Sequence, residues 1–221
     1  MSYVTERREE EKERRREEII DAAERVFSEK GFDSATMDQV AREARVSRAL
    51  VYVYFKDKDA LMLAICLRGL NMLRDMFQKA RETEPDGARQ VRAIGGAYMS
   101  FAREYPTHFA AMSRYESQHA ELDPNDPCEH VLDMLNAGRK VHEQTVLAIV
   151  TGMADGSLRP DITNPLQTSI TLWGFSHGLI QLAQTKCAFM ASLGIDYNQF
   201  MEDGMDLAMR ALVNQPQGGV Q

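Results

Sequence analysis

The stretch ATMDQVAREARVSRALVYVYFKDKDAL, residues 35–61, decides the fold because it holds the starts of three helices. Thr36 and Gln39 form a capping box, in which each side chain bonds the backbone N–H of the other residue. Ser47 and Asp57 are two further helix-capping residues. The stretch therefore predicts helices that begin just after residues 36, 47 and 57.

The first two of these helices are short and lie close together. We place one at 36–44 and the next at 48–55, with a tight turn at 45–47 between them. Val51 and Phe55 are four residues apart, so we assign both to the core face of the second short helix. Two short helices joined by a three-residue turn are typical of a helix-turn-helix.

Positive charge is concentrated in this stretch. Residues 42–58 hold five basic and two acidic groups, whereas residues 59–221 hold 13 basic and 19 acidic groups. The net charge of the whole chain, −7, argues against a protein that coats nucleic acid along its whole surface. A local positive patch can still bind phosphates, although chance clustering of basic residues is the alternative interpretation.

Upstream of this stretch, residues 6–18 are thirteen consecutive charged residues, with Glu and Arg at favourable i,i+4 spacing. Apolar residues at helical spacing follow from Ile19 to Phe27, and Gly31 is placed to stop the helix. We interpret the charged segment as a solvated helical extension. Contacts from its arginines to neighbouring phosphates or to the minor groove are the alternative.

Downstream, the pattern predicts further helices and no strands. The fourth helix runs from Asp57 to about Thr83, and later helices cover roughly 88–105, 106–120, 128–154, 164–191 and 196–213. A polar loop is predicted at 121–127, and a disordered tail at 214–221. The fold class is therefore all-α, with about nine helices.

Composition and motifs exclude several classes of protein. The 221 residues are 44% hydrophobic and 27% charged, and the three cysteines make no disulfide framework. We find no secretory signal, no membrane span and no motif of an enzyme, a cofactor site or a metal site. The cluster Cys128-Glu129-His130 beside Asp126 lacks a second spaced pair of ligands. We therefore expect a cytoplasmic protein that is not an enzyme and needs no cofactor.

Within residues 19–61 the chain resembles the TetR/AcrR family of transcriptional regulators. The resemblance rests on a first helix that ends in Gly-Phe, a Thr-capped second helix, a Val-Ser turn, a Tyr-x-Tyr-Phe end to the third helix and a Lys-x-Lys entry to the fourth. The chain departs from the family at Ala49, where Gly is frequent, and at Val53, where His or a similar polar residue is frequent. Ala49 and Val53 can contact a thymine methyl but cannot donate a hydrogen bond to a base.

The resemblance implies roles in DNA binding for ten residues. Those expected to hold phosphates are Thr36, Ser47, Tyr54, Lys58 and Arg45. Those expected to face the major groove are Arg48, Ala49, Leu50, Tyr52 and Val53. Packing between helices is the alternative role for both tyrosines.

The resemblance also implies a domain organisation, with a helix-turn-helix domain at 1–56 and a ligand-binding and dimerisation domain at 57–213. Methionines, aromatic rings and two histidines in the larger domain are candidates for a ligand pocket. They are Tyr98, Phe101, Tyr105, Phe109, Met112, Met134, His142, Trp173 and His177. An ordinary hydrophobic core is the alternative. Small residues that allow close helix approach are candidates for a dimer interface, namely Gly174, Gly178 and Gly204. Close packing inside the monomer is the alternative for these glycines.

These features together predict a homodimeric regulator that binds a palindromic operator in double-stranded DNA. We expect a repressor that a small, mainly apolar effector releases from DNA. A constitutive regulator whose larger domain only dimerises is the alternative, and an all-α enzyme with a coincidental helix-turn-helix is a third hypothesis.

Overall fold

A computed structural model of the chain describes residues 3–118 and 129–214, and within these residues it contains ten α-helices and a single isolated β-bridge. The helices are α1 Tyr3–Lys30, α2 Met37–Glu43, α3 Arg48–Tyr54, α4 Lys58–Glu82, α5 Gly87–Glu104, α6 Pro106–Gln118, α7 Glu129–Asp155, α8 Pro165–Thr185, α9 Cys187–Ser192 and α10 Tyr197–Leu212. The all-α prediction is confirmed. The predicted loop at 121–127, and the predicted tail apart from Asn214, lie outside the described residues.

The charged extension and the first amphipathic helix form one continuous helix, α1. Its charged half is exposed up to Arg14 and half-buried at 15–18, and it carries ion pairs between neighbouring turns, such as Arg14 with Glu11 and Arg15 with Glu18. Its apolar half is buried, with Ile19 fully inaccessible to solvent. Gly31 ends the helix at φ +73° and donates its N–H to the Phe27 carbonyl, as the sequence predicts.

The single helix that the sequence predicts at 164–191 is divided into α8 and α9. The backbone of Lys186 leaves the helical region, with φ −120° and ψ 19°, and its N–H still bonds the Leu182 carbonyl. Asn164 caps the start of α8 through Gln167 N, and Pro165 occupies the first helical position. The division accounts for the tenth helix.

The contacts divide the chain into two compact units. The first unit is Met1–Gly69 with Tyr105–Val131, and the second is Leu70–Glu104 with Leu132–Gln221. In the first unit α1 packs on α2 and α6, and α2 packs on α3; in the second α5, α8 and α10 pack on one another, and α9 follows α8. These units describe packing, whereas the predicted boundary after residue 56 separates functions, so that boundary stays a prediction.

An ionic cluster ties α1, α4 and α6 together in the first unit. The Arg68 guanidinium lies 2.6 Å from Glu24 Oε1 and also pairs with Asp21 and Glu17, and His108 Nε2 lies 3.1 Å from Glu24 Oε1. Burial raises the pKa of Glu24, but its hydrogen bond and charge interaction with His108, together with Arg68, outweigh burial and lower it. Glu24 is therefore held as a carboxylate inside the unit.

Two glycines allow a close approach of α5 to α7 in the second unit. A Cβ added at Gly87 would lie 2.0 Å from the backbone nitrogen of Gly152 and 2.6 Å from the Ala148 carbonyl oxygen. No side chain fits there without moving α5 away from α7. The first turn of α5 is also bonded to the end of α7, because Gly87 N–H donates to Asp155 Oδ2 and Ala88 N–H to Ser157 Oγ.

We predict that Gly87→Ala lowers the free energy of unfolding by about 2 kcal/mol or more, because its methyl group meets backbone rather than a movable side chain. Gly96→Ala on the same helix is the control, since a Cβ at this exposed glycine meets nothing within 4 Å. It should stabilise by about 0.5–1 kcal/mol through its better helix propensity. Urea unfolding measures both, and equal stabilities would contradict the close approach.

Candidate nucleic-acid interface

The caps predicted for α2 and α3 are present. Thr36 Oγ1 accepts the N–H of Gln39 at 3.3 Å, and Gln39 Oε1 accepts the N–H of Thr36 at 3.0 Å, which completes the capping box. Ser47 Oγ accepts the N–H of Leu50 at 3.2 Å. Thr36 and Ser47 are both exposed, so each stands at the surface while its oxygen fixes the start of a helix.

The burial of α3 decides which of its side chains reach solvent. Val51 is fully buried and Phe55, directly after the helix, is 4% exposed, and the Arg16 guanidinium lies over the Phe55 ring at 5.5 Å. Both residues therefore occupy the core, as predicted. Because α3 makes only two turns, its remaining side chains point into solvent or lie at the edge of the core.

The outward face of α3 contains the residues predicted to face the major groove. Arg48, Ala49, Tyr52 and Val53 are exposed, with Val53 at 76%, whereas Leu50 is half-buried. Tyr54, predicted to hold a phosphate, is also half-buried. The structure brings these side chains onto one short helix surface, and their contacts with DNA stay predictions.

Arg48 has two partners that hold its guanidinium. Its Nε lies 3.0 Å from Asp38 Oδ1 and its Nη1 lies 3.4 Å from Asp38 Oδ2, while Nη2 is 3.5 Å from the Tyr52 hydroxyl. The hydrogen bond with Tyr52 and the charge of Asp38 raise the pKa of Arg48. Asp38 was not predicted from the sequence, because it lies ten residues before Arg48 and on a different helix.

The turn between α2 and α3 places Arg45 in the left-handed backbone region, at φ 56°. This conformation costs a residue with a Cβ roughly 1 kcal/mol relative to glycine. The Arg45 side chain is exposed. An exposed cation therefore occupies a turn position that glycine would fill with less strain.

Lys58 is the first residue of α4, as predicted, and Asp57 caps that helix by accepting the Ala60 N–H at 2.8 Å. The Lys58 ammonium donates to the Phe32 carbonyl at 2.8 Å and to the Asp33 carbonyl at 3.2 Å. It also lies 4.7 Å from the centre of the Phe32 ring. Lys58 therefore joins α4 to the turn that follows α1, and a phosphate contact would be an additional role.

The residues predicted for a ligand pocket fall in both compact units. Tyr105, Phe109 and Met112 belong to the first unit, where the Phe109 and Met112 side chains are buried. The six in the second unit are Tyr98, Phe101, Met134, His142, Trp173 and His177. Phe101 and Met134 are buried.

The other four residues of the second unit form one polar and aromatic cluster, which consists of Tyr98, His142, Trp173 and His177. The Tyr98 hydroxyl lies 2.7 Å from His177 Nδ1, and the centre of the Trp173 ring lies 5.9 Å from that of His142 and 5.8 Å from that of His177. Burial lowers the pKa of His142 and of His177, so both imidazoles are neutral near pH 7. The cluster therefore offers hydrogen bonds and ring surfaces without a full charge.

Two members of this cluster were missed from sequence. Ser169 Oγ lies 2.9 Å from His142 Nδ1, and Gln181 Nε2 lies 3.2 Å from His177 Nε2. Both belong to the series 169, 173, 177 and 181 on α8, which lies along one face of a helix. That spacing is the signal that would have found them.

The three glycines predicted for a dimer interface lie in different surroundings. A Cβ at Gly174 or at Gly178 meets nothing within 4 Å, so α8 is open at both positions. A Cβ at Gly204 would lie 2.4 Å from Leu179 Cδ1, and Gly204 is buried. The close packing at Gly204 is therefore between α10 and α8 of the same chain.

The described residues contain no group of three or more His, Cys, Asp or Glu side chains that could hold a metal ion. The side chains of the cluster Cys128-Glu129-His130 lie outside the described residues. In the same part of the chain, none of the helices combines the length and the apolar character that a membrane crossing requires.

The capped pair α2 and α3, with its exposed second helix, is a helix-turn-helix, the module of sequence-reading regulators. Residues 19–65 match the family described as bacterial regulatory proteins, tetR family. Residues 91–208 match the tetracyclin repressor-like C-terminal domain. The chain belongs to the TetR family of transcriptional regulators.

One curated relative and one solved structure are similar to this chain. An uncharacterised HTH-type transcriptional regulator of Haemophilus influenzae is 29% identical over 101 residues, which cover 46% of this chain and 54% of the relative. The chain thus matches about half the length of that relative. The solved structure of a protein of unknown function from Rhodococcus sp. RHA1 has a TM-score of 0.71 at 24% identity, over 90% of this chain and 95% of that one.

A second solved structure shares the fold at lower identity. It is the transcriptional regulator FadR from Bacillus subtilis in complex with stearoyl-CoA, with a TM-score of 0.66 at 14% identity. The match covers 87% of this chain and 96% of FadR.

We predict that Lys58→Ala weakens binding to all DNA sequences alike and flattens the salt dependence of log K by about one unit per protomer, because each protomer loses one phosphate contact. Lys140→Ala, at an exposed lysine of α7, is the control with the same change of net charge. Titrations at several salt concentrations measure the slope. An unchanged slope in a folded Lys58 variant would mean that Lys58 contacts no phosphate and serves only to bond the Phe32 and Asp33 carbonyls.

Proposed function

We propose that the protein is a homodimeric repressor that reads a palindromic operator with α3 and leaves DNA when a small, mainly apolar molecule binds its second unit. The observation that carries the proposal is the outward face of α3. A two-turn helix with Val51 buried has few ways to orient, and this orientation presents Arg48, Tyr52 and Val53 to solvent.

These outward side chains suit base reading in the major groove. An arginine can pair with the O6 and N7 of guanine, and apolar groups such as Ala49 and Val53 can contact the methyl of thymine. Tyr52 adds a hydroxyl beside Arg48. The proposed half-site therefore contains a guanine and at least one neighbouring thymine.

The strained turn supports a phosphate contact from Arg45. A residue held in a costly backbone conformation is explained when its side chain has a use. The exposed guanidinium of Arg45 stands between the two helices of the helix-turn-helix, where the resemblance places a backbone contact. Phosphate contacts of this kind fix the register of α3 on DNA, and the base contacts supply specificity.

The surface of the second unit supports dimerisation. Besides the two open glycines, α8 exposes Leu166, Ile170 and Leu182, each close to half of its surface. Large apolar side chains beside small residues allow a second helix to approach closely and cover them. A two-fold dimer would give two copies of α3, as a palindromic operator requires.

The uncharged cluster around Trp173 supports an effector site. Aromatic rings with a few hydrogen-bonding groups suit a mostly apolar ligand that carries one or two polar atoms. The FadR structure contains stearoyl-CoA, a molecule with a long apolar chain. We propose that α4, which continues from the first unit into the second, transmits the effect of the ligand.

The effector works only if it prefers the conformation that does not bind DNA. Moving a population from 1:99 to 99:1 requires roughly 5.5 kcal/mol of differential affinity, which two sites in a dimer could share. A thermal-shift screen detects such a ligand through a higher melting temperature. A regulator without an effector would show no ligand-dependent shift.

We predict that Arg48→Ala costs about 1–3 kcal/mol in binding and relaxes the preference at one base pair in each half-site, because the pair to guanine is lost. Binding is measured on duplexes in which each base pair is substituted in turn. A uniform loss on every duplex would instead assign Arg48 to a phosphate.

We predict that Gly178→Leu weakens the dimer at least tenfold, because a side chain would hold two helices apart at this position. Gly96→Leu is the matched control, since it adds the same side chain at an exposed glycine of α5. Sedimentation equilibrium gives the dissociation constants. A Gly178 variant that dimerises as well as the control would place the interface elsewhere.

A further inference from the structure

The carboxylate of Asp38 stands out on a surface proposed to contact DNA. It lies on α2, one position after the start of that helix, and its Oδ1 atom is covered from solvent and makes no hydrogen bond, so its contact with Arg48 is an ion pair. Phosphate repels a carboxylate, so an acidic group here lowers affinity for DNA of any sequence. Its position next to Arg48, at 3.0 Å, suggests what compensates for that loss.

The guanidinium of Arg48 is held from two sides. Asp38 on α2 faces Nε and Nη1, and Tyr52, one helical turn further along α3, contacts Nη2 and lies under the guanidinium at 5.5 Å from the ring centre. Arginine has five N–H donors, so a carboxylate and a hydroxyl leave donors for a base. Arg48 is nevertheless 62% exposed, and these donors are accessible to DNA.

An arginine whose side chain is fixed before binding and an arginine whose side chain is mobile contribute differently to DNA binding. A mobile arginine has many rotamers and can reach whichever phosphate is nearest, which adds affinity without discrimination. An arginine fixed before binding loses less conformational entropy when it meets the matching base, and it reaches fewer phosphates. Fixing the side chain therefore favours discrimination between bases over affinity for any DNA.

We propose that Asp38 is a specificity-determining residue, which together with Tyr52 positions Arg48 to read one base pair and keeps it from neighbouring phosphates. Asp38 acts through Arg48 and makes no base contact of its own. The inference rests on the proposed base-reading role of Arg48. It adds a residue from α2 to the recognition surface of α3.

The test compares Asp38→Asn with Asp59→Asn. Asp59 is the matched control because it is exposed, occupies the same second position in its helix, α4, and changes net charge equally. Both variants should bind random-sequence duplex more tightly through the lost negative charge. At the base pair where Arg48→Ala relaxes the sequence preference, only Asp38→Asn should lower the ratio of affinities for the preferred and the substituted duplex, by about tenfold.

A double variant separates positioning from a general charge effect. In the Arg48→Ala background, Asp38→Asn should cause no further loss of discrimination at that base pair, because the residue it positions is gone. Asp38→Glu, which keeps the charge but moves the carboxylate, should lose part of the discrimination. Circular dichroism and melting temperature confirm that each variant is folded.

Each other result overturns a stated part of the account. In one such result, Arg48→Ala relaxes the sequence preference at one base pair, but the Asp38→Asn protein keeps as much preference there as the Asp59→Asn protein. The positioning role of Asp38 is then wrong, and the reading role of Arg48 stands. If Arg48→Ala relaxes no base pair, the reading role fails, and the inference about Asp38 fails with it. Additive losses in the double variant would give Asp38 a contact independent of Arg48.

Discussion

The burial of Val51 and Phe55 is the constraint on which the recognition surface depends. A helix of seven residues is not stable alone in water, so α3 exists because these side chains pack in the core of the first unit. The same packing fixes which way α3 faces, and the Ser47 cap fixes where it begins. The positions of Arg48 and Tyr52 at the surface follow from core packing and local capping.

The first unit also connects this surface to α6. Glu24 of α1 contacts Arg68 of α4 and His108 of α6, and Arg114 of α6 pairs with Asp33 in the turn before α2. Breaking a buried charge pair leaves an unpaired charge, which is costly. The contacts of Glu24 therefore hold α1, α4 and α6 together within the first unit, and the exposed pair of Arg114 with Asp33 adds less.

Local patterns in the sequence predicted most of the helix starts and ends. The capping box at Thr36, the cap at Ser47 and the stop at Gly31 each depend on residues a few positions apart, which a sequence shows directly. The contact between Asp38 and Arg48 and the one between Gly87 and Gly152 could not be predicted in that way. They depend on how separate helices pack, as does the cluster of His142, Trp173 and His177. The division of α8 from α9 at Lys186 could not be predicted either, because no proline or glycine lies at that position.

Selection of bound sequences from a random pool of double-stranded DNA tests the central claim most directly. The protein is first refolded from denaturant to remove any ligand, and the selection is made at about 0.15 M salt. The account predicts a two-fold symmetric motif whose half-sites lie roughly 10 base pairs apart, or a multiple of that, from centre to centre. No enrichment by refolded, dimeric protein would contradict the claim that the outward face of α3 reads DNA.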